Sequence, residues 1–110
     1  MRKLYIVKTN QQFDDIIKTG KCLKNKYFVI YNKDNNLKYD RFGISVTKKL
    51  GNAVFRNKYK RIIRSILDNY KKLYINYKDY IIILRKDAID CDYELLKNEL
   101  FSLLNRNQKG

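Results

Sequence analysis

The chain contains no histidine, no proline and no tryptophan, and only two of its 110 residues are cysteines. Without histidine, it lacks the most frequent general acid or base of enzymes and the commonest metal ligand. Cys22 and Cys91 match no metal-binding or redox spacing, so we interpret them as reduced thiols of a cytoplasmic protein. Because no Gly-rich phosphate loop, nucleophile triad or zinc spacing is present either, the sequence offers no catalytic residues of its own.

Long hydrophobic runs are also missing. Residues 1–7 begin like a secretion signal, but Lys8 and the polar residues after it end the apolar run too early. The longest later run, at 80–84, has the length of a strand and cannot span a bilayer. We therefore expect a soluble cytoplasmic protein with no membrane partner.

Acidic residues are scarce: 11 Asp and Glu stand against 25 Lys and Arg, a formal net charge of +14. None lies between Asp40 and Asp68, where cations are most concentrated. Crowded like charges repel one another and lower stability, so the sequence predicts an external polyanion as the partner.

One acidic cluster could be imagined as a metal site. The N-cap and first turn of a helix explain it better, because acidic side chains are favoured at both places. We therefore predict no metal ligands in the protein. The cluster comprises Asp87, Asp90, Asp92 and Glu94.

Hydrophobic spacing predicts one α+β domain spanning residues 1–110, in the order helix, three strands, helix, strand, helix, with helices covering the sheet and a tail at 105–110. Phe13, Ile16 and Ile17 share one face of the first helix, which Asn10 can cap and Gly20 can end.

The strands are predicted from composition and alternation. A short strand near 22–23 precedes two strands at 27–31 and 41–47. The turn residues at 33–36 favour pairing of these two strands as an antiparallel hairpin. The run 80–84 does not alternate, which is typical of a strand covered on both faces. The last helix begins after Asp90 or Asp92, and its buried side is predicted to contain Leu96, Leu100, Leu103 and Leu104.

The cation-rich segment is predicted to form a helix from an N-cap at Asn52 to about Tyr70. Helical phase divides it into two sides, one apolar and one cationic. The side expected to pack on the sheet contains Phe55, Tyr59, Ile62, Ile63, Ile66 and Tyr70. The opposite side contains Arg56, Asn57, Lys60, Arg61 and Arg64, with Lys58 near its border.

Local electrostatics of this helix are unfavourable without a partner. Arg56, Lys60 and Arg64 repeat at i, i+4, where neighbouring cations repel. Lys48 and Lys49 precede the helix N-terminus, where the macrodipole disfavours cations. A membrane-surface helix needs a free apolar face, whereas this helix uses its apolar face on the sheet. Nucleic acid is therefore the favoured polyanion, bound through phosphate contacts.

Residues 43–64 read Gly-Ile-Ser-Val-Thr-Lys-Lys-Leu-Gly-Asn-Ala-Val-Phe-Arg-Asn-Lys-Tyr-Lys-Arg-Ile-Ile-Arg. This run closely resembles the signature of the bacterial ribonuclease P protein subunit, and the resemblance extends over nearly the whole chain. There are three departures. Lys58 replaces the second Arg of the usual Arg-Asn-Arg, Ile17 stands where an aromatic residue is common, and the N-terminal cationic cluster is lighter.

The resemblance implies a function. In that family the protein is the small subunit of a ribonucleoprotein that removes the 5′ leader from precursor tRNA. The RNA subunit contains the active site and its Mg²⁺ ions, so no cofactor is expected on the protein alone. The basic helix contacts the catalytic RNA, and a cleft between the first helix and the sheet binds the single-stranded leader. The resemblance also implies a left-handed βαβ crossover, whereas general topology favours the right-handed form.

Two sets of site residues follow from helical phase and the resemblance. Residues expected to contact the catalytic RNA are Lys48, Lys49, Asn52, Arg56, Asn57, Lys58, Lys60, Arg61 and Arg64. Residues expected in the leader cleft are Phe13, Ile17, Val29, Tyr31 and Ser45. The aromatic members can stack on unpaired bases, and core packing is the alternative role for Phe13.

Two other functions remain open from the sequence. A ribosomal or RNA-chaperone protein could use the same basic helix without any catalytic context. An independent nuclease is disfavoured because histidine is missing and the acidic cluster has a structural explanation. We expect the free protein to be a monomer whose partners are ribonuclease P RNA and precursor tRNA.

Overall fold

The computed structural model describes residues 10–35, 40–69 and 78–108, which form three helices and four strands in the predicted order. The helices are α1 (Asn10–Thr19), α2 (Ala53–Asp68) and α3 (Tyr93–Gln108). The strands are β1 (Lys21–Lys24), β2 (Phe28–Asp34), β3 (Arg41–Ser45) and β4 (Lys78–Leu84). Single 3-10 turns at Lys48–Leu50 and Lys86–Ala88 follow β3 and β4. The prediction of a small α+β domain is confirmed.

The four strands form one sheet in the order β1-β2-β4-β3. β2 is antiparallel to both β1 and β4, and β3 is parallel to β4. The predicted β2–β3 hairpin is therefore wrong, because β4 lies between these two strands. β4 is buried along almost its whole length, and such a strand needs neighbours on both sides and helices on both faces. The βαβ crossover from β3 through α2 to β4 is present as predicted.

The main core lies between one face of the sheet and helices α2 and α3. On the sheet, Phe42 and Tyr80 stack with their ring centroids 5.3 Å apart and an interplanar angle of 7°. The four leucines predicted for the last helix are all buried in this core, as are Ile63 and Ile66 of α2. This burial fixes the side of α2 that faces the sheet, and its cationic side therefore points away from the core.

Helix α1 packs on the other face of the sheet. Its Ile16 is buried against Ile81 of β4, and the half-buried Phe13, Tyr31 and Ile83 surround this pair. The helix ends as predicted, with the N–H of Gly20 donating to the carbonyl oxygen of Ile16 at 2.8 Å. Because α1 is short, it covers only part of this face and leaves the rest accessible.

Both ends of α3 can be compared with the sequence-based predictions. Asp92 caps α3, since its Oδ1 accepts a hydrogen bond from the N–H of Leu95 at 2.8 Å. The predicted tail at 105–110 is wrong for residues 105–108, which continue α3. Arg106 donates to the carbonyl oxygen of Lys24 at 3.1 Å and so holds this last turn against β1.

Several predictions fall outside the described residues: the one that rejects a secretion signal at 1–7, the turn residue Asn36, the helix end at Tyr70 and the final residues 109–110. Within the described ranges, no helix is both long and apolar enough to cross a membrane.

Candidate nucleic-acid interface

Helix α2 starts at a tightly packed turn. Gly51 is required there because a Cβ on it would lie 2.4 Å from Cδ1 of Phe55. Asn52 is the N-cap, as predicted, and its Oδ1 accepts a hydrogen bond from the N–H of Phe55 at 2.9 Å. This cap satisfies one of the free N–H groups of the first turn. The start of the basic helix is therefore fixed by local chemistry.

The buried side of α2 holds the helix in one orientation. Tyr59 and Leu67 are buried there, although Leu67 was not among the predicted core residues. The hydroxyl oxygen of Tyr59 accepts a hydrogen bond from the N–H of Asp90 at 3.1 Å. Asp90 has a φ of 68°, in the left-handed region, at the turn before α3. The contact links α2 to that turn and orients the cationic side outward.

The cations of α2 have no acidic partners in the described part of the chain. No carboxylate there forms an ion pair with Arg56, Lys60, Arg61 or Arg64. Helical phase places most of them along one shallow depression of about 510 Å³. Its lining residues are Val54, Asn57, Lys60, Arg61 and Arg64. We call this depression the basic groove.

A second depression of about 550 Å³ lies where α1, β3 and α2 meet. It brings together three residues predicted for the leader cleft, Phe13, Ile17 and Ser45, with two predicted for the catalytic RNA, Arg56 and Lys60. We call this depression the cleft. Lys60 also lines the basic groove, so the two surfaces are continuous across α2.

Arg56 is partly enclosed by the walls of the cleft. Its Nε is buried and has no hydrogen-bond partner among the described residues. A buried donor without a partner costs about 1–3 kcal/mol. A bound anion would offset part of that cost by pairing with the guanidinium group, and the cleft is therefore suited to a phosphate as well as to a base.

Phe13 serves as both core and cleft wall. Its ring lies against the backbone of Gly43, where a Cβ would come within 2.4 Å of Phe13 Cζ. The same ring packs with Tyr31 and Ile83 around Ile16 and Ile81. The small residue at 43 lets α1 approach the sheet closely, and the remaining exposed part of the ring faces the cleft.

The register of the sheet shows where the other residues predicted for the leader cleft lie. Tyr31 pairs with Ile81, and Val29 pairs with Ile83, which in turn pairs with Ser45. Val29, Ile83 and Ser45 therefore form one half-buried row across the face that α1 leaves open. Val29 and Tyr31 lie on this face but do not line the cleft itself.

Ile83 is a site residue that sequence reasoning missed. Its strand shows no alternation of apolar and polar residues, so its side chains that face α1 could not be identified from the sequence. The signal lies in the pairing of β4 with β2: once Val29 is placed on the open face, its partner Ile83 must share that face.

The remaining predicted RNA contacts are spread around α2. Lys49 lines a third depression of about 490 Å³ together with Arg85 and Lys86, two cations that the sequence did not single out. Lys58 lies over the ring of Tyr59 at 5.9 Å from its centroid. Lys48 and Asn52 are exposed near the helix start. The predicted set is thus divided over several surfaces.

The described residues contain no group of three or more His, Cys, Asp or Glu side chains that could hold a metal ion.

Fold and surface together define the class of this protein as a small, basic α+β domain with the features of an RNA-binding protein. Residues 1–108 match the family model of ribonuclease P. The chain is 45% identical over 105 residues to the ribonuclease P protein component of Mycoplasma capricolum subsp. capricolum, covering 94% of this chain and 96% of that protein. The corresponding protein of Streptococcus agalactiae serotype Ia is 43% identical over 104 residues, with 94% of each chain covered.

Solved structures agree with the sequence comparison. The Staphylococcus aureus RNase P protein superposes with a TM-score of 0.84 at 40% identity, with 94% of each chain covered. The RNase P protein of Thermotoga maritima also gives 0.84, at 34% identity, with 92% of this chain and 96% of that chain covered. The chain belongs to the ribonuclease P protein family.

Proposed function

We propose that this protein is the subunit of ribonuclease P that binds both the catalytic RNA and the 5′ leader of precursor tRNA. The observation that carries the proposal is the junction of the cleft with the basic groove across α2. The cleft contains half-buried apolar and aromatic residues, and the basic groove contains cations that pair with no carboxylate of the described residues. A single-stranded leader needs the first kind of surface, and a folded RNA needs the second.

In this proposal the basic groove binds the catalytic RNA. Arg61 and Arg64 can each bind a phosphate through two parallel N–H donors, and Asn57 adds a neutral donor. Lys60 acts as a point charge between the two surfaces. Lys48, Lys49 and Lys58 lie outside the groove and extend the positive field toward the same RNA, and the neutral Asn52 adds a polar contact at the start of α2.

The cleft and the open sheet face receive the leader. The aromatic rings of Phe13 and Tyr31 provide stacking surfaces, and stacking tolerates any base sequence. Val29, Ile83 and Ser45 form a low floor on which the backbone can lie close to the sheet. Arg56 lies at the wall of the cleft and pairs with a leader phosphate, whereas Ile17 gives an apolar contact where relatives often have an aromatic ring.

The cleavage chemistry belongs to the RNA in this proposal. Mg²⁺ held by the RNA supplies the charge stabilisation that phosphodiester hydrolysis needs. The residues of the protein position the substrate: they hold the leader in one direction and bring the cleavage site to the RNA. The free protein is proposed to be a monomer, since its high positive charge opposes self-association.

Reconstitution tests this function. The protein is mixed with a bacterial ribonuclease P RNA and a precursor tRNA at low Mg²⁺, and cleavage at the mature 5′ end is measured. We expect faster cleavage than with RNA alone, since the protein adds leader affinity and charge neutralisation. No stimulation would contradict the proposal and would favour an RNA-binding role without catalysis. Cleavage by the protein without RNA would instead indicate an independent nuclease.

A matched pair of variants tests the leader assignment. Tyr31→Ala should weaken binding of the holoenzyme to leader-bearing precursor by about tenfold, because one aromatic stack on a base contributes about 1–3 kcal/mol. Tyr31→Phe keeps the ring and should bind like the original protein. Mature tRNA, which has no leader, should bind both variants equally well. An equal loss for precursor and mature tRNA would refute the assignment of Tyr31 and the open sheet face to the leader.

A further inference from the structure

Val54 is unusually exposed for an apolar residue. Its relative exposure is 78%, whereas the other exposed large apolar residues of the described chain, Ile17, Tyr93 and Leu95, reach only 36–37%. It lies in the first turn of α2 and lines the basic groove. An apolar side chain thus lies almost fully in water within a surface that is otherwise polar and cationic.

Nothing in the described part of the fold explains a valine at this position. A β-branched residue is less favourable in a helix than alanine, since its χ1 freedom is restricted there. The side chain also buries little apolar surface within the protein, because most of it is exposed. Single exposed apolar residues are common on proteins, so the position of Val54 among the groove residues is the informative feature.

Val54 continues the stripe of phosphate-binding residues on α2. Asn57, Arg61 and Arg64 follow it at i+3, i+7 and i+10, so the four side chains lie along one side of the helix. All four line the basic groove. An RNA strand bound along this stripe therefore meets cations at one end and an apolar side chain at the other.

We propose that Val54 is an apolar contact residue for the catalytic RNA, packing against the ribose or base of a nucleotide near the phosphates that Arg61 and Arg64 bind. The inference rests on the proposed function of the basic groove. Every nucleotide has an apolar surface beside its phosphate, so a surface that binds RNA closely can use both. The phosphate contacts depend strongly on salt because they release counterions. The contact of Val54 does not.

Salt dependence separates the two kinds of contact. Binding of the protein to ribonuclease P RNA is measured across a series of KCl concentrations for the original chain, Val54→Ala and Arg61→Ala. Val54→Ala should lower the affinity by about fifteenfold at every salt concentration, the effect of losing two buried methyl groups. The slope of log K against log salt should stay unchanged. Arg61→Ala should instead reduce the slope by about one.

Folding does not confound the Val54 variant. Alanine is the better helix former, so Val54→Ala should be at least as resistant to urea as the original chain. Val54→Thr keeps the shape but replaces one methyl with a hydroxyl, and it should also bind RNA more weakly.

Two outcomes would overturn the contact: an affinity of Val54→Ala within twofold of the original, or a change of its salt slope. If the original chain itself does not bind the RNA, the proposed function is contradicted, and the Val54 contact is contradicted with it.

Discussion

The ring of Phe13 lies directly over Gly43, so close that a Cβ at position 43 would approach Cζ of Phe13 to 2.4 Å and Cδ1 of Ile81 to 2.8 Å. This contact sets the distance between α1 and the sheet. Because the same ring forms a wall of the cleft, the size of residue 43 also sets the width of the cleft.

Gly43→Ala should therefore lower both stability and leader affinity. Overpacking of a filled site costs about 1–3 kcal/mol, which urea unfolding can measure. Affinity for leader-bearing precursor should fall more than affinity for the catalytic RNA, since the basic groove lies on α2. A shorter side chain opposite should relieve the clash, so Gly43→Ala combined with Phe13→Leu should be more stable than the sum of the single changes predicts. Strict additivity would contradict the contact.

Substitutions of α2 residues that line the cleft and of those that line the basic groove should weaken different binding steps. Arg56→Ala is expected to weaken binding of leader-bearing precursor, because Arg56 lines the cleft. Arg61→Ala is expected to weaken assembly with the catalytic RNA, because Arg61 lines only the basic groove among the described depressions. Affinities of each variant for the RNA, and of each holoenzyme for precursor and mature tRNA, test this division.

Arg56→Lys is the control for charge. It keeps the cation but loses the planar fork, so it should recover only part of the leader affinity. If Arg56→Ala and Arg61→Ala behave alike in every assay, the cleft and the basic groove do not act as separate surfaces.

The basic helix could be predicted well from the sequence because its signals are local. Asn52 as N-cap, the buried Ile63 and the exposed Arg61 all follow from capping chemistry and helical phase. Helical phase could not show which cations of α2 lie next to α1. Arg56 and Lys60 were predicted for the catalytic RNA, and only the packing of α1 places them at the cleft.

The order of strands could not be predicted, because pairing between distant strands is decided by burial and not by the turn that joins neighbours. The turn residues after β2 favoured a hairpin with β3. Burying the apolar stretch Tyr80-Ile81-Ile82 on both faces requires a central position, and β4 therefore separates β2 from β3. The same pairing assigns Ile83 to the open face.

A partly buried ion pair fastens the start of β3 to β4. Asp79 accepts hydrogen bonds from Arg41 Nε at 2.9 Å and Nη2 at 2.6 Å, and from Asn35 Nδ2 at 2.8 Å. Asp79→Ala should lower the free energy of unfolding by about 3 kcal/mol, because it leaves the guanidinium of Arg41 mostly buried without its carboxylate.

The exposed pair of Lys78 and Asp34 provides the comparison for this prediction. Its carboxylate side chain is 87% exposed and the two charged atoms lie 3.5 Å apart. Asp34→Ala should change the free energy of unfolding by no more than about 0.5 kcal/mol, since surface pairs contribute little. Urea titrations of the two variants measure the difference, and equal losses would contradict a special role for Asp79.

Asn52 allows helix stability to be separated from RNA contact. Asn52→Ala removes the acceptor for the N–H of Phe55 and should cost about 1 kcal/mol of stability. Asn52→Asp keeps a capping oxygen and adds a negative charge that the helix N-terminus favours, so its stability should equal or exceed that of the original chain. That same charge lies on the exposed surface proposed to face RNA phosphates.

The Asp variant should therefore fold at least as well yet bind the catalytic RNA about fivefold more weakly at low salt, because a like charge about 4 Å away costs about 1 kcal/mol even in water. The difference should shrink as salt rises, since salt screens exposed charges. Thermal unfolding and RNA binding, both measured on Asn52→Ala and Asn52→Asp, separate the effect on helix stability from the effect on RNA contact. If Asn52→Asp binds the RNA as tightly as the original chain at low salt, Asn52 lies outside the interface and contributes only to the helix.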